Sequence, residues 1–562
     1  MDVTIDYDVP ETFNMATVLV DRHVEEGRGD RVAIYHDDGT ITYRELQRRV
    51  NRAGNMLRNR GIDIEDRVIL LMADHPQFIE TYVGAMKIGA APVPINVMST
   101  PEEIAYYVTD SRAAAVVVDA SLEPRLAQVR EGLRYLKQVF VFGNGSAPSP
   151  LRMPRESAAR SEWSALPTSD SDPSESPQSG QPSPRGRGGL LSYEAEFAVA
   201  SDELEAEPTS RDDPSYWLYS SGTTGQPKGT VHLHRDMVYC TGNWIEHVSK
   251  PGPSDIYYTA SKLPFSYGLV NGLYQPLLAG LPTVLVSETS SAAVVAATVK
   301  KYRPTILFSV PTLYNLILRE HEAGNLDIDL SSVRMCISAG EALPAAIYDR
   351  WLDAFGLELL DGIGSTEFGY IYIQNLPGRA RAGASGQVLP GYEAKILDED
   401  ENPVPDGDIG ELYMKSESFA SYYWRKRDRT RDTFRGPWLK TGDRYRRDGE
   451  GYYFYAGRGD DMFKTSGQWV SPIEVEGVLL RHNAVAEAAV ISFGDVDGLI
   501  KPKAFVVLKA GHEPGPSLTT TLQDHCKAEL APDYYKYPRW IEFVPDLPKT
   551  ATGKIQRYKL RN

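Results

Sequence analysis

The chain has 562 residues, more than one hydrophobic core normally serves, so we expect a large multi-lobed domain and at least one smaller domain. Its 42% hydrophobic and 24% charged residues are the balance of a folded globular protein. The formal net charge of −16 argues against a nucleic-acid partner, because phosphates must be met by clustered Lys and Arg. No apolar run reaches the length of a membrane span, so no membrane partner is expected.

The N-terminal stretch MDVTIDYDVPETFNMATVL is acidic. It lacks the basic start and apolar run of a secretory signal, so we expect a cytoplasmic protein. The cysteines are Cys240, Cys336 and Cys526, which have neither CxxC spacing nor the density of a disulfide scaffold. A structural zinc site is therefore not expected.

Strand and helix patterns alternate along the first part of the chain. Thr42 and Glu45 have capping-box spacing before apolar residues at helical intervals, and Gly61 stands where that helix should end. Such alternation predicts parallel sheets with helical crossovers. The elements that follow are a strand from Val68, a helix at residues 78–86, and strands at 91–95, 113–118 and 139–142.

The composition changes abruptly at residues 145–189, which are rich in Ser, Pro, Gly and Arg (SDPSESPQSGQPSPRGRGG). This segment has too little apolar surface to fold, so a disordered surface insertion is predicted. The alternative is a regulatory or docking segment, because long unstructured loops in compact domains are either functional or linkers.

Helix and strand patterns alternate again beyond the insertion. Residues 385–415 then have a β pattern with a turn-rich connection. A final unit begins near Asp461, and in it Ser471, Pro472 and Glu474 start a helix. The predicted fold class is α/β, with a large N-terminal domain of two α/β lobes, a β-rich subdomain and a small α+β C-terminal domain. The helix and strand patterns before the β-rich part lie at residues 291–302, 305–310, 311–320 and 333–338.

A glycine-rich loop with one lysine stands between two apolar runs at residues 219–229 (YSSGTTGQPKG). Glycines permit the curvature that turns backbone N–H groups toward an anion, hydroxyls donate further hydrogen bonds, and the lysine adds a full charge. The pattern predicts a triphosphate-binding loop, although Pro227 and Gly229 distinguish it from the GxxxxGK[ST] pattern. A flexible Gly/Ser/Thr loop is the alternative. The residues expected at the phosphates are Ser220, Ser221, Gly222, Thr223, Thr224, Gly225 and Lys228.

The same string resembles the signature loop of the adenylate-forming superfamily, which includes acyl-CoA and aryl-CoA synthetases, luciferases and nonribosomal peptide adenylation domains. The resemblance runs from about Ala33 to the C-terminus outside the insertion, with several motifs in the family's order. It implies an enzyme that uses ATP, Mg²⁺ and coenzyme A in two steps. A carboxylate attacks the α-phosphate of ATP to give acyl-AMP and pyrophosphate, and a thiol then displaces AMP.

The resemblance also assigns nucleotide-binding residues. Thr366 is expected at the α-phosphate, and Glu367 and Thr224 at Mg²⁺, since hard divalent cations prefer oxygen ligands. Asp443 is expected to accept both ribose hydroxyls, as an acceptor-only carboxylate can, and Arg458 to lie near the nucleotide. Ligands of open α/β sheets lie at the carboxyl ends of strands. The residues expected there are Gly340, Glu341, Ala342, Asp361, Gly362, Ile363, Gly364 and Ser365.

A mobile C-terminal domain is implied as well, with domains at residues 1–460 and 461–562 and Asp460 as the hinge. Lys554 resembles the family's catalytic lysine, whose ammonium lowers the repulsion between the attacking carboxylate and the α-phosphate. The alternatives are an ordinary Gly-rich linker near the hinge and a solvated basic tail around Lys554. The residues expected to bind coenzyme A are Lys464, Ser466, Gly467, Gln468 and Trp469.

Three strings resemble benzoate-type ligases: SGQWVSPIEVE, FSVPTLYNLIL, and DGIGSTE, which has Ile363 where the commoner family pattern has Tyr. Residues 263–268 (LPFSYG) lack the aspartate with which amino-acid-activating relatives hold an ammonium. We therefore expect a benzoate, 2-aminobenzoate or hydroxybenzoate type of acid. Rings pack well against rings, although each aromatic candidate could equally be a core residue. The expected acyl pocket comprises Tyr239, Trp244, Phe265, Tyr267, Gly340, Gly364 and Tyr370, with Tyr372 among the aromatic candidates.

Three other functions stay open. A stand-alone adenylation enzyme would load a carrier protein, and a fatty-acid CoA ligase would take an aliphatic acid. A catalytically silent acyl-nucleotide sensor would have no turnover, and the joint presence of Lys228, Glu367, Asp443 and Lys554 argues against it. The sequence has no GxSxG elbow and no metal-spaced His/Cys cluster, which argues against a serine hydrolase or a zinc enzyme.

Overall fold

A computed structural model of the protein describes residues 7–143, 189–220, 226–459, 461–465, 468–494, 499–549 and 555–561. Apart from Gly189, which is exposed, the predicted insertion at 145–189 lies outside the described residues. The fold is mixed α/β with a large N-terminal domain and a small C-terminal domain, as the sequence predicts.

A five-stranded sheet, parallel in every pairing, forms the first lobe. Its Val, Ile, Leu and Ala side chains are largely buried, as a parallel sheet covered by helices requires. Helix Tyr43–Asn59 packs against helix Pro76–Lys87. Gly84 allows their close approach, because a Cβ there would lie 2.8 Å from Val50 O. The strands, in spatial order, are Ala91–Pro94, Arg67–Leu71, Ala115–Asp119, Gln138–Phe142 and Leu190–Ser192.

A nine-stranded sheet forms the second lobe. Its central strands are parallel, and the pairings at its two ends are antiparallel. The carboxyl ends of the parallel strands therefore meet at one edge, which is where ligands of such sheets lie. The strands, in spatial order, are Gln387–Val388, Ile371–Gln374, Leu359–Gly364, Met335–Ser338, Ile306–Ser309, Tyr257–Thr259, Thr283–Val284, Val32–His36 and Gly39–Thr42.

Two antiparallel sheets complete the large domain. The hairpin of Pro214–Ser220 and Lys228–Leu233 pairs through its second strand with Tyr422–Tyr423. The predicted β-rich part is a five-stranded sheet that extends beyond the β pattern at residues 385–415. Its strands are Glu393–Leu397, Gly410–Lys415, Phe434–Arg435, Trp438–Arg447 and Tyr453–Arg458.

The C-terminal domain has a hydrophobic cluster of its own. Helices Pro472–Leu480 and Pro516–Glu529 pack together, and the first begins as predicted, because Ser471 Oγ accepts a hydrogen bond from Glu474 N at 3.2 Å. Its sheet contains one strand that the sequence pattern does not predict, Trp540–Phe543, which runs parallel to its neighbour. The other strands are Val485–Gly494 and Ile500–Leu508 in this sheet, and the separate hairpin Phe463–Thr465 and Gln468–Val470.

No helix within the described ranges combines the length and the apolar character needed to cross a bilayer.

The α-helices not named above are Arg22–Glu25, Pro101–Ser111, Glu123–Ala127, Tyr193–Val199, Asp236–Trp244, Ser266–Leu269, Gln275–Ala279, Ala292–Tyr302, Pro311–Glu322, Ala345–Phe355 and Arg427–Thr433. Single turns of π-helix lie at Thr17–Asp21, Ile245–Ser249 and Val270–Tyr274, and 3₁₀ turns at Arg130–Gly132, Thr366–Phe368, Tyr534–Lys536 and Arg557–Leu560.

Candidate active site

The predicted phosphate loop connects the two strands of an antiparallel hairpin. Ser220 and Lys228 are Cα partners and form the last pair before the loop. The Tyr106 hydroxyl donates to Pro227 O at 2.7 Å, which fixes one side of the loop to helix Pro101–Ser111. The remaining predicted phosphate ligands lie outside the described residues: Ser221, Gly222, Thr223, Thr224 and Gly225.

Lys228 lies beside Glu367, the predicted metal-binding carboxylate. Their Nζ and Oε1 atoms are 3.6 Å apart. Burial lowers the pKa of Lys228 and Glu367 opposes that shift. Burial acts to raise the pKa of Glu367, but the Lys228 charge and the Tyr423 hydroxyl outweigh it, so that the pKa of Glu367 lies below its ordinary value. Each charge therefore favours the ionised form of the other, and the two residues come from distant parts of the chain.

Tyr423 links the two charges. Its hydroxyl donates to Glu367 Oε1 at 2.7 Å and accepts from Lys228 Nζ at 3.2 Å, and the ammonium lies 4.2 Å from the centre of its ring. Burial and the Glu367 charge raise the pKa of Tyr423, so the hydroxyl keeps the proton that it donates. Sequence reasoning did not identify this residue, because no local pattern relates it to Lys228 or Glu367.

The turn that carries Thr366 is held by a buried histidine, which sequence reasoning also missed. His232 Nε2 lies 2.7 Å from Thr366 O, and Nδ1 lies 3.0 Å from Asp236 Oδ2. A carbonyl oxygen only accepts, so Nε2 carries hydrogen, and one further proton must lie between Nδ1 and the carboxylate. Burial raises the pKa of Asp236 and His232 opposes that shift. The histidine thereby fixes the backbone next to Glu367.

The predicted strand-end residues lie on, or just after, two adjacent parallel strands, in which Ser338 and Asp361 are register partners. Gly340 has a φ of +91°, a conformation that glycine adopts readily. The Thr312 hydroxyl donates to Glu341 Oε2 at 2.7 Å. Burial raises the pKa of Asp361 well above its ordinary value. The same two chain segments also carry Ala342, Gly362, Ile363, Gly364 and Ser365.

Asp443 and Arg458 are register partners on neighbouring antiparallel strands. Arg458 Nη1 donates to Asp443 Oδ1 at 3.0 Å. Tyr372, which is buried, interacts electrostatically with Asp443, Glu367 and Arg458, and Lys228 interacts with Arg458 as well. The structure thus brings the predicted ribose, metal and phosphate residues into one neighbourhood.

Three of the predicted acyl-pocket rings lie together. The rings of Tyr267 and Tyr370 are nearly parallel with centroids 6.3 Å apart, and Trp244 meets Tyr370 edge-on at 5.7 Å. Phe265 precedes helix Ser266–Leu269. A Cβ at Gly364 would lie 2.4 Å from Tyr370 O, so these rings adjoin the strand that leads to Glu367.

Tyr239 lies elsewhere. Its ring stacks on Tyr7 with centroids 5.9 Å apart, and its hydroxyl donates to Tyr7 O at 3.2 Å. Tyr372 packs against Phe368 at 5.0 Å and is fully buried. The ring contacts of Tyr239 and Tyr372 are thus with Tyr7 and Phe368 and not with Tyr267. The contribution of Tyr239 to an acyl pocket stays a prediction.

The predicted coenzyme A residues Lys464, Gln468 and Trp469 lie on the hairpin Phe463–Thr465 and Gln468–Val470. Trp469 has the guanidinium of Arg444 4.9 Å from its ring centre and the ammonium of Lys464 4.6 Å from it. Four other predicted residues lie outside the described residues, namely Asp460, Ser466, Gly467 and Lys554.

Comparison with known proteins identifies the family. The family described as AMP-binding enzyme matches residues 20–424, and the AMP-binding enzyme C-terminal domain matches residues 474–554. The benzoate–CoA ligase of Thauera aromatica is 41% identical over 559 residues, which cover 99% of this chain and 97% of that protein. The 4-hydroxybenzoate–CoA/benzoate–CoA ligase of Rhodopseudomonas palustris is 37% identical over 98% of this chain and 94% of that protein.

A solved structure shows the same similarity. The anthranilate CoA ligase AuaEII in complex with anthranoyl-AMP superposes with a TM-score of 0.86 at 36% identity, covering 100% of this chain and 98% of that one. The family match, the identity along almost the whole chain and the shared fold agree, and the protein is a member of the AMP-binding enzyme family.

Proposed function

We propose that this protein is an ATP-dependent aryl-CoA ligase. It converts an aromatic carboxylate and ATP into an aryl-adenylate and pyrophosphate, and then transfers the aryl group to coenzyme A with release of AMP. The observation that carries the proposal is the partly buried contact of Lys228, Tyr423 and Glu367 at the loop end of the phosphate hairpin. A lysine and an ionised carboxylate side by side in a partly buried position suit a metal–triphosphate ligand.

Lys228 and the hairpin loop bind the phosphates of ATP in this proposal. The protein as a whole is acidic, so an anionic ligand needs a local positive group, and Lys228 supplies it. Arg429 and Arg458 add positive potential at the same place, since both interact with Lys228. Thr366, on the turn fixed by His232, is proposed to donate its hydroxyl to the α-phosphate.

Glu367 fits a magnesium ligand because its pKa is lowered, which favours the ionised carboxylate, and because 13% of its side chain stays accessible. Mg²⁺ is usually held by one or two carboxylates together with substrate phosphates and water, and Thr224 is proposed as a second protein ligand. When bound, the ion offsets negative charge on the phosphates. The chain itself positions Glu367 through the Tyr423 hydroxyl and through Ala420 N, which donates to Glu367 O at 2.7 Å.

Asp443 is proposed to accept the ribose hydroxyls. Its carboxylate is buried, and Arg458 fixes one of its oxygens. The adenine then lies near Gly340, Glu341 and Ala342, at the carboxyl ends of the parallel strands. The acid occupies the neighbourhood of Tyr267 and of the other clustered rings, where an aromatic ring packs well.

Lys554 is proposed to bring its ammonium between the substrate carboxylate and the α-phosphate during adenylation. The C-terminal domain, with Asp460 as hinge, then turns so that residues 464–469 line the path of the coenzyme A thiol. Lys549, next to the Lys554 segment, pairs with Glu487 at 2.7 Å, and Arg319 of the large domain lies 4.0 Å from the same Glu487. Glu487 thus has one partner in each domain, and these two contacts offer an ion pair that can exchange partners as the domain turns.

The proposal is tested by assaying AMP, pyrophosphate and thioester formation with benzoate, hydroxybenzoates and aminobenzoates. Stoichiometric aryl-CoA and AMP are expected with coenzyme A as acceptor. Pyrophosphate exchange driven by medium-chain fatty acids and by no benzoate would overturn the aryl assignment. Aryl transfer to a holo-carrier protein and not to coenzyme A would overturn the acceptor assignment.

A further inference from the structure

A buried polar cluster lies at the far end of the Tyr370 ring, and the adenylation chemistry does not use it. Asn271 and Gln275 are fully buried, on the π-helical turn Val270–Tyr274 and at the start of helix Gln275–Ala279. The Tyr370 hydroxyl donates to Asn271 Oδ1, and the Gln275 amide donates a hydrogen bond to the same hydroxyl.

Two polar atoms of this cluster are unsatisfied. Within the described part of the chain, Asn271 Nδ2 and Gln275 Oε1 have no hydrogen-bond partner. Buried amide groups are almost always hydrogen-bonded, because an unpaired one loses its hydration without compensation. Two neighbouring amides that each have an unpaired atom therefore point to a polar group of a ligand.

The position of the cluster identifies that ligand as the acid. Tyr370 shares ring contacts with Tyr267 and Trp244, two further rings of the proposed acyl pocket. The Ser266 hydroxyl donates to Gly369 O at 2.6 Å, which fixes the backbone next to Tyr370. The cluster consequently adjoins the place proposed for the aromatic ring, at the hydroxyl end of Tyr370.

The unpaired atoms also select among ring substituents. Asn271 offers one unpaired N–H donor group, and Gln275 offers one unpaired carbonyl acceptor. A phenolic hydroxyl accepts through a lone pair and donates its proton, and so matches both. An aromatic amine delocalises its lone pair into the ring, which makes it a donor only, and a bare ring would leave both atoms unpaired.

We propose that Asn271 and Gln275 form a specificity site for a ring hydroxyl, so that the preferred acid is a hydroxybenzoate and not benzoate or an aminobenzoate. The inference rests on the proposed aryl-CoA ligase function and adds the substituent to it. A site built to hydrogen-bond a substrate hydroxyl discriminates strongly against the analogue that lacks it, because the buried polar groups are then left unpaired.

The test compares kcat/KM for pyrophosphate release with benzoate, the three hydroxybenzoates and the three aminobenzoates. We expect one hydroxybenzoate to exceed benzoate by on the order of 100-fold and its amino isomer by on the order of 10-fold. Gln275→Met keeps the volume and removes both polar atoms, and should reduce the hydroxybenzoate-to-benzoate ratio to within a few fold. Thr283→Val is the matched control, since Thr283 Oγ1 is also buried and unpaired within the described residues but lies in the sheet core.

A ratio does not depend on how much of a variant folds, so partial folding leaves the test intact. Gln275→Asn, which withdraws the amide by one methylene, serves as a second variant and should lose most of the preference. Benzoate or an aminobenzoate as the best substrate, or an unchanged ratio in the Gln275 variants, would overturn the inference and leave the ligase function standing. Failure of every aromatic acid would instead overturn the proposed function, and the inference with it.

Discussion

The Tyr423 hydroxyl lies between Lys228 and Glu367, and its removal tests whether this contact prepares the enzyme for the metal–nucleotide substrate. Tyr423→Phe keeps the ring that Lys228 lies against and removes the donor to Glu367 Oε1. Hydrogen bonds to charged groups contribute about 1.5–3 kcal/mol. We therefore expect kcat/KM for ATP to fall by about 10- to 100-fold.

The pH dependence should change with a definite sign. Burial acts to raise the pKa of Glu367, and the Lys228 charge and the Tyr423 hydroxyl lower it below its ordinary value. The ionised form of Glu367, which would bind the metal, is present above its pKa and is protonated as the pH falls through that pKa. Removal of the hydroxyl raises the pKa of Glu367, so the acidic limb of the Tyr423→Phe profile should move to higher pH.

The assay measures initial rates of pyrophosphate release over a matrix of Mg²⁺ concentration and pH. Tyr422→Phe is the matched control, because adjacent strand residues point to opposite faces and Tyr422 packs against the hydrophobic cluster of the first lobe. The variant Tyr423→Phe should need more Mg²⁺ at low pH, whereas Tyr422→Phe should match the parent. Identical Mg²⁺ and pH profiles for both variants would refute the idea that Tyr423 positions Glu367.

Lys554→Ala should abolish most adenylation yet leave thioester formation from supplied aryl-AMP largely intact, as single-turnover assays of each step would measure; equal loss in both steps would contradict the division of labour. Arg557→Met should lower the free energy of unfolding by about 3–5 kcal/mol in urea, because it leaves the buried carboxylate of Glu476 unpaired. The more exposed Arg561→Met should cost only about 0–1 kcal/mol, and equal effects of the two variants would contradict the ion-pair argument. Asp443→Asn should raise KM for ATP by about 10- to 100-fold, and an unchanged KM would remove Asp443 from the ribose site.

The parallel sheets could be predicted because their strands are short apolar runs that are buried on both faces. The strand predicted at residues 139–142 is observed as Gln138–Phe142, and the helix predicted at 78–86 as Pro76–Lys87. Thr42 Oγ1 accepts from Glu45 N at 3.3 Å as the spacing indicates. The Glu45 carboxylate, however, accepts from Arg49 Nε at 2.8 Å, since a guanidinium one turn along competes for it.

Other elements gave no local signal. Strand Trp540–Phe543 has only four residues, and its pairing is parallel to a strand more than thirty residues earlier. The π-helical turn Val270–Tyr274 likewise carries no pattern that distinguishes it from α-helix. It nevertheless brings Asn271 to the Tyr370 hydroxyl.

Some residues of the candidate site could likewise be predicted from the sequence, and others could not. Lys228 and Glu367 lie in strings whose residue types have a direct chemical reason, and their contact in the structure follows. Tyr423 and His232 hold them in place but come from ordinary-looking strings, so only the three-dimensional fold reveals them. Tyr239 is predicted from its aromatic character alone, and its place in the acyl pocket stays a prediction, with its ring stacked on Tyr7.

The transfer of oxygen from the acid to the nucleotide tests the central claim most directly. An aromatic acid labelled with ¹⁸O in its carboxylate is incubated with the enzyme, ATP, Mg²⁺ and coenzyme A. The ¹⁸O content of each product is then measured by mass spectrometry. Attack of the carboxylate on the α-phosphate predicts one ¹⁸O atom in each AMP. Label in inorganic phosphate together with ADP, or unlabelled AMP, would contradict adenylation at the Lys228 and Glu367 site.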